Sequence, residues 1–242
     1  MFSRFVHACF SDFYHACYYC ILLLVTAFSF LYFKRADKAF KWICVLITLT
    51  CLSELLAKYV GLCYGSNGIV YDIFVPIEYF IYANIYRSFL NSAKWNKILS
   101  ISVGFLFVVD IINMIFFQPV KKVTSKLTGI TTTIVEVPTN AMNVEMVMLV
   151  FLSLLLFINI REKPVYENIT SEGVFWFNSA VLFYYSFSIL IWGFYGVVYN
   201  MEDPPKISNN MLLLSSGLLY MLYVFSILLN SRYVNQLSTK NA

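Results

Sequence analysis

Ionisable side chains interrupt long apolar runs at Glu54, Lys58, Asp72, Glu78 and Asp110. Charge in the interior of a bilayer is expensive, so each such group is a candidate for ligand or proton chemistry. Glu54 and Lys58 stand four residues apart on one helical face, acid before base, which is the order that favours an intrahelical ion pair. The segment Asp72-Ile-Phe-Val-Pro76-Ile-Glu78 is the most informative. Pro76 has no N–H for the carbonyl four residues back, which belongs to Asp72, so the spacing predicts a kink and a freed carbonyl. Glu78 then falls near mid-membrane. A carboxylate at that depth must be protonated or paired, and Lys58 on the preceding helix is the partner for Glu78 or Asp72 if Glu54 does not take it. Asp110 and Asn113 stand towards one end of the next run, with Glu145 in the first turns of the run after that, where an acid complements the helix dipole.

Both histidines fall in a short repeat, His7-Ala-Cys9 and His15-Ala-Cys17. Imidazole and thiolate suit copper or zinc, which makes His7, Cys9, His15 and Cys17 metal candidates. Eight helical residues rotate the two units apart by roughly 80°, however, so one ion does not reach both. Amphipathic residues at a membrane surface are the expected reading, without metal or other cofactor. Cys9 and Cys63 are placed where they would be able to pair, and Cys17, Cys20, Cys44 and Cys51 read as lipid-embedded thiols. No H-E-x-x-H, G-x-S-x-G or P-loop pattern occurs, which argues against an enzyme.

The elements that must position these groups are membrane spans. Hydrophobic residues make up 60% of the 242 and charged residues 12%, where soluble chains average about 25% charged. Mean hydropathy is +0.72. A hydrocarbon core about 30 Å thick needs roughly 20 apolar helical residues. Seven runs meet that length, at 14–33, 42–63, 69–90, 98–118, 141–160, 174–199 and 210–230. They are continuous rather than alternating, so helices and not barrel strands are expected. The expected fold is one all-α domain over 1–242, a polytopic transmembrane bundle, multi-pass in the plasma (inner) membrane. Span one follows no basic cluster or cleavage site and is too long for a signal sequence, so it is expected to stay as a helix.

Basic residues set an expected orientation. Eleven Lys and Arg fall in the segments after spans one, three, five and seven, and five fall on the other side, Lys121, Lys122 and Lys126 among them. Positive residues favour the cytoplasm in short loops, so the N-terminus is expected outside and the C-terminus inside. The turn at Gly65-Ser66-Asn67-Gly68 makes spans two and three a tight hairpin. Residues 119–140 form the longest outer loop, and their alternation of Thr, Val and Ile suits a short β-hairpin. Thr139-Asn140 and Ser208-Asn209 are expected N-caps, and Pro204 and Pro205 are expected to end a loop.

From mid-depth outwards the spans carry carboxylates, whereas their inner half reads as drier and tyrosine-lined. The expected function is therefore a sensor or binding protein with an outward polar cavity, taking a small-molecule or lipid ligand and signalling through a cytoplasmic partner. A proton-coupled transporter, a lipid-modifying intramembrane enzyme and a structural subunit are the alternatives. Nothing concentrates positive charge enough for nucleic acid. The seventh span has no lysine for a retinal Schiff base, so an opsin-like chromophore is excluded.

Overall fold

The computed structural model describes residues 5–6, 9–10, 13–117, 120–124, 131–135, 138–162, 170, 172–198 and 204–240. For the strands, 139, 161–162, 192–198, 204–208 and 233–240 it describes the backbone only. The helices are α1 (Phe13–Tyr32), α2 (Lys38–Tyr64), α3 (Gly68–Leu90), α4 (Ala93–Ile112), α5 (Thr139–Glu162), α6 (Gly173–Val198) and α7 (Pro204–Lys240). All seven are long and apolar enough to cross a membrane, which makes the chain a multi-pass membrane protein. Between α4 and α5 lie strands β1 (Val120–Thr124) and β2 (Thr131–Val135), paired antiparallel with Val120 opposite Val135. The alternating Thr, Val and Ile thus form the hairpin their pattern suits.

Local chemistry accounts for several helix ends. The Asp37 side chain accepts the Phe40 N–H at 3.0 Å and caps α2. At the other end Gly65 adopts φ 86°, a left-handed conformation that glycine takes without strain, and its N–H closes on Gly61 O at 2.9 Å. Two expected caps are displaced. Helix α5 begins one residue earlier than a Thr139 cap allows, with Met142 N–H donating to Pro138 O at 3.0 Å. Helix α7 begins at Pro204, so Ser208 and Asn209 lie inside it rather than before it. The prolines open this helix instead of ending a loop, because a first-turn residue needs no N–H partner. Helix α3 continues as one helix through Pro76.

Helix contacts order the bundle. Helix α1 packs on α2, α2 on α3, α3 on α5, α5 on α6, α6 on α7, and α7 returns to α1. Six helices thereby close a ring, and α4 docks outside it against α3 and α5. Only Leu99, Leu106 and Asp110 of α4 are buried, while Ile101, Phe105, Phe107 and Val108 are exposed. The ring interior holds Tyr82, Tyr86, Tyr223 and Asn178, Tyr79 is buried against α4 with its hydroxyl donating to Ser102 Oγ at 2.9 Å, and Leu24, Leu31, Leu52 and Phe151 face outwards. Apolar outside and polar inside is the distribution that suits hydrocarbon as solvent, since lipid tails give no reason to bury leucine.

Candidate functional site

The ring encloses a cavity of about 100 Å³. It is lined by Glu54 and Thr50 of α2, Glu78, Tyr71 and Tyr82 of α3, and Glu145 of α5. Tyr18 of α1, Tyr184 and Tyr185 of α6, and Ser216, Tyr220 and Tyr223 of α7 complete its polar wall. Six helices contribute and α4 does not. Three carboxylates therefore face one space from three helices, among seven tyrosines, with no Lys, Arg or His among the described lining residues.

Hydroxyl groups join across this space. Tyr185 Oη stands 3.1 Å from Glu78 Oε1 and 3.2 Å from Tyr82 Oη, and Tyr82 Oη lies 2.6 Å from Tyr223 Oη. Each phenol has one proton to donate. Tyr185 is placed to donate to either acceptor, Glu78 Oε1 or Tyr82 Oη, and its single proton serves one at a time. With Glu78 ionised, that proton goes to the carboxylate. With Glu78 protonated, Tyr185 is free to donate to Tyr82, which can donate to Tyr223 in turn. Beside it, Tyr71 Oη donates to Glu54 Oε1 at 3.5 Å and Ser216 Oγ donates to Tyr184 Oη at 3.3 Å. Glu145 is 3% exposed, and its Oε1 has no hydrogen-bond partner among the described residues.

A second polar network lies next to the cavity, towards the α5–α6 turn. Tyr86 Oη meets Ser153 Oγ at 2.7 Å and donates to Asn178 Oδ1 at 3.0 Å, and Asn178 Nδ2 donates to Ser153 O at 2.8 Å. Every polar atom named here is partnered, and the network ties α3, α5 and α6 together. It is packing chemistry.

The sequence-derived candidates divide accordingly. Glu54 and Glu78 both line the cavity. Asp72 and Asp110 do not line it. Asp110 cannot, because α4 lies outside the ring. Its Oδ1 lacks a partner, near Asn113, which accepts from Asn140 Nδ2 at 3.0 Å. Glu145 is the residue that sequence reasoning assigned to the helix dipole, and the structure overturns that. It lies in the second turn of α5, faces inwards and is almost fully buried. The separation of carboxylates from tyrosines is likewise corrected, because both line the same cavity.

The expected Glu54–Lys58 ion pair does not form among the described residues. Glu54 takes its hydrogen bond from Tyr71, and Lys58 is only half-buried at the edge of the bundle. Lys58 exerts an electrostatic pull on both Glu54 and Cys9 without closing on either. All six cysteines are free, so Cys9 and Cys63 do not pair, and Cys44 and Cys51 are buried in the bundle rather than facing lipid. Among the described residues no group of three His, Cys, Asp or Glu is placed to hold a metal ion. Of the metal candidates, His7 lies outside the described residues. Burial pushes the Cys9 thiol up, against the opposing pull of Lys58, which disfavours the thiolate a metal needs.

Fold and site together define a polytopic helical-bundle membrane protein with a buried carboxylate–tyrosine cavity. No family model, no curated protein and no solved structure matches the chain.

Proposed function

We propose that this protein binds a small cation, of ammonium size or the proton itself, in the central cavity, and acts as a membrane sensor or binding protein. The observation that carries the reading is the convergence of Glu54, Glu78 and Glu145 on one cavity without a basic residue among the described residues of its wall. Negative charge buried in such a place needs a positive partner. Tyrosine faces add attraction for an organic ammonium group. At about 30 Å³ per water molecule, the space suits roughly three waters or one small amine, and a drug-sized ligand is too large. Occupancy would draw α2, α3 and α5 together, and a cytoplasmic partner would read that change.

The test is thermal unfolding of the purified protein in detergent with methylammonium chloride against sodium chloride at equal ionic strength. Methylammonium should raise the unfolding midpoint of the wild type and leave Glu145→Gln unmoved. A wild type indifferent to methylammonium and to pH removes the reading.

A second reading, proton-coupled transport, is favoured by the Tyr223–Tyr82–Tyr185–Glu78 chain, which offers a path for a proton across part of the bundle. Reconstituted liposomes carrying a pH-sensitive dye test it. Proton entry that Tyr82→Phe removes would put transport ahead of sensing.

For orientation we propose the N-terminus outside and the C-terminus in the cytoplasm of the plasma membrane, on the eleven-to-five division of basic residues. A reporter fused after Ala242 should be active only in the cytoplasm.

A further inference from the structure

At the end of the bundle opposite the β-hairpin, a cleft of about 820 Å³ opens where the start of α2, the end of α3 and the start of α4 meet. Lys38, Trp42, Asn84, Arg87, Asn91 and Ser100 are among its lining residues. It shares none of them with the carboxylate cavity. Lys38 is the first residue of α2, and Arg87 is in the last turn of α3, so both cations sit at helix ends, the level at which lipid headgroups lie.

Among the described residues Arg87 is held by neutral partners only. Its Nη1 donates to Asn84 Oδ1 at 3.3 Å and its Nη2 to Ser100 Oγ at 2.7 Å. Those acceptors are fixed in turn, since Asn84 Nδ2 donates to Phe80 O at 2.8 Å and Ser100 Oγ donates to Asn96 O at 2.9 Å. The guanidinium is thereby oriented with its charge uncancelled. Its Nε is buried without a partner among the described residues. A residue serving only the helix dipole needs neither this clamp nor a cleft. The one acid among the described lining residues, Asp37, is turned to the α2 N-terminus and α7, where Oδ1 accepts from Phe40 N–H at 3.0 Å and Oδ2 from Asn230 Nδ2 at 2.8 Å, so it keeps its charge but forms no ion pair with Arg87.

We propose that this cleft binds a phosphate-bearing anion between Arg87 and Lys38. A pre-oriented guanidinium fork fits phosphate oxygens, a flexible ammonium supplies a second charge, and the Asn84 and Asn91 amides offer polar company. Trp42 gives an amphipathic wall. The source of the phosphate is an anionic phospholipid headgroup or a free phosphate, and basic pockets between helix ends suit the former.

The experiment follows the unfolding midpoint of the detergent-purified protein with three additions: inorganic phosphate, mixed micelles containing phosphatidylglycerol, and the same micelles with phosphatidylcholine. Sodium chloride at matched ionic strength is the baseline. A rise with phosphatidylglycerol alone assigns the site to a lipid headgroup, and a rise with inorganic phosphate as well assigns it to phosphate in general. Arg87→Gln should weaken the apparent affinity about tenfold or more, and Arg87→Lys, which keeps charge but loses the fork, should recover part of it. Lys38→Gln alters an exposed residue, leaves the fold intact and should reduce the effect too. No rise with either phosphate source, or a rise that persists undiminished in both Arg87→Gln and Lys38→Gln, overturns the proposal. If Arg87→Gln does not fold, Lys38→Gln and Arg87→Lys decide.

Discussion

Tyr82 of α3 and Tyr223 of α7, 141 residues apart in the chain, meet hydroxyl to hydroxyl at 2.6 Å in the centre of the bundle. Phe177 of α6 stacks on Tyr223 with ring centroids 5.3 Å apart, and Tyr185 meets Tyr82 edge to face at 5.8 Å. Aromatic packing therefore holds the hydroxyls in place, and Tyr185 Oη links them to Glu78 at 3.1 Å.

Tyr82→Phe keeps the ring and removes the middle of the chain. Tyr223 and Tyr185 each lose a buried partner, so we expect destabilisation of about 1–3 kcal/mol. The unfolding midpoint in detergent measures it. Equal loss in Tyr185→Phe is expected, with one addition: Tyr185 donates directly to Glu78, so this variant should also alter the response to methylammonium.

Gly173 opens α6 against two neighbours. A Cβ there would collide with the backbone carbonyl of Ser226 on α7 and with the Phe40 ring of α2. The carbonyl belongs to a helix and cannot swing aside, so Gly173→Ala should destabilise by about 1–3 kcal/mol through overpacking. Gly104, with open space around it, is the control, and Gly104→Ala should be neutral or slightly stabilising.

Asp110→Asn separates the cavity from the periphery. Helix α4 stands outside the ring, and Asp110 does not line the cavity, although its charge acts through space on Glu145 of the wall. The variant should leave the methylammonium response unchanged. A response lost in Asp110→Asn while the fold is retained would mean that the site extends to α4.

Lys58→Gln tests the missing ion pair. Glu54 relies on Tyr71, so the substitution should shift stability by no more than about 0.5 kcal/mol, in the manner of a surface change. Tyr71→Phe should cost more, and comparing the two midpoints distinguishes the alternatives.

Much of the architecture was legible in the sequence. Long apolar runs specify helices because a helix satisfies its own backbone in lipid, and the alternation over 120–135 specifies strands by its period of two. Turn chemistry at Gly65 was legible for the same reason, since it is local. What the sequence did not convey is which helices share a wall. Glu145 looked like a dipole acid because its distance from the helix start is visible in sequence and its facing is not. Asp110 looked like a member of the site because its depth matched, yet α4 is displaced outside the ring by contacts between distant segments. Lys58 was paired by spacing alone, and Tyr71 of the next helix reached Glu54 first. Tyrosine density was plain, but its convergence on the carboxylates depends on the closure of α7 against α1.

The central claim is that Glu78 and Glu145 act on one bound cation. A double-mutant cycle on the methylammonium-induced shift in unfolding midpoint tests it most directly, using Glu78→Gln, Glu145→Gln and the pair together. Two residues serving one ion are coupled, so each single variant should remove most of the shift and the double variant little more. Additive losses, with each single variant keeping about half the wild-type shift, would contradict the shared site.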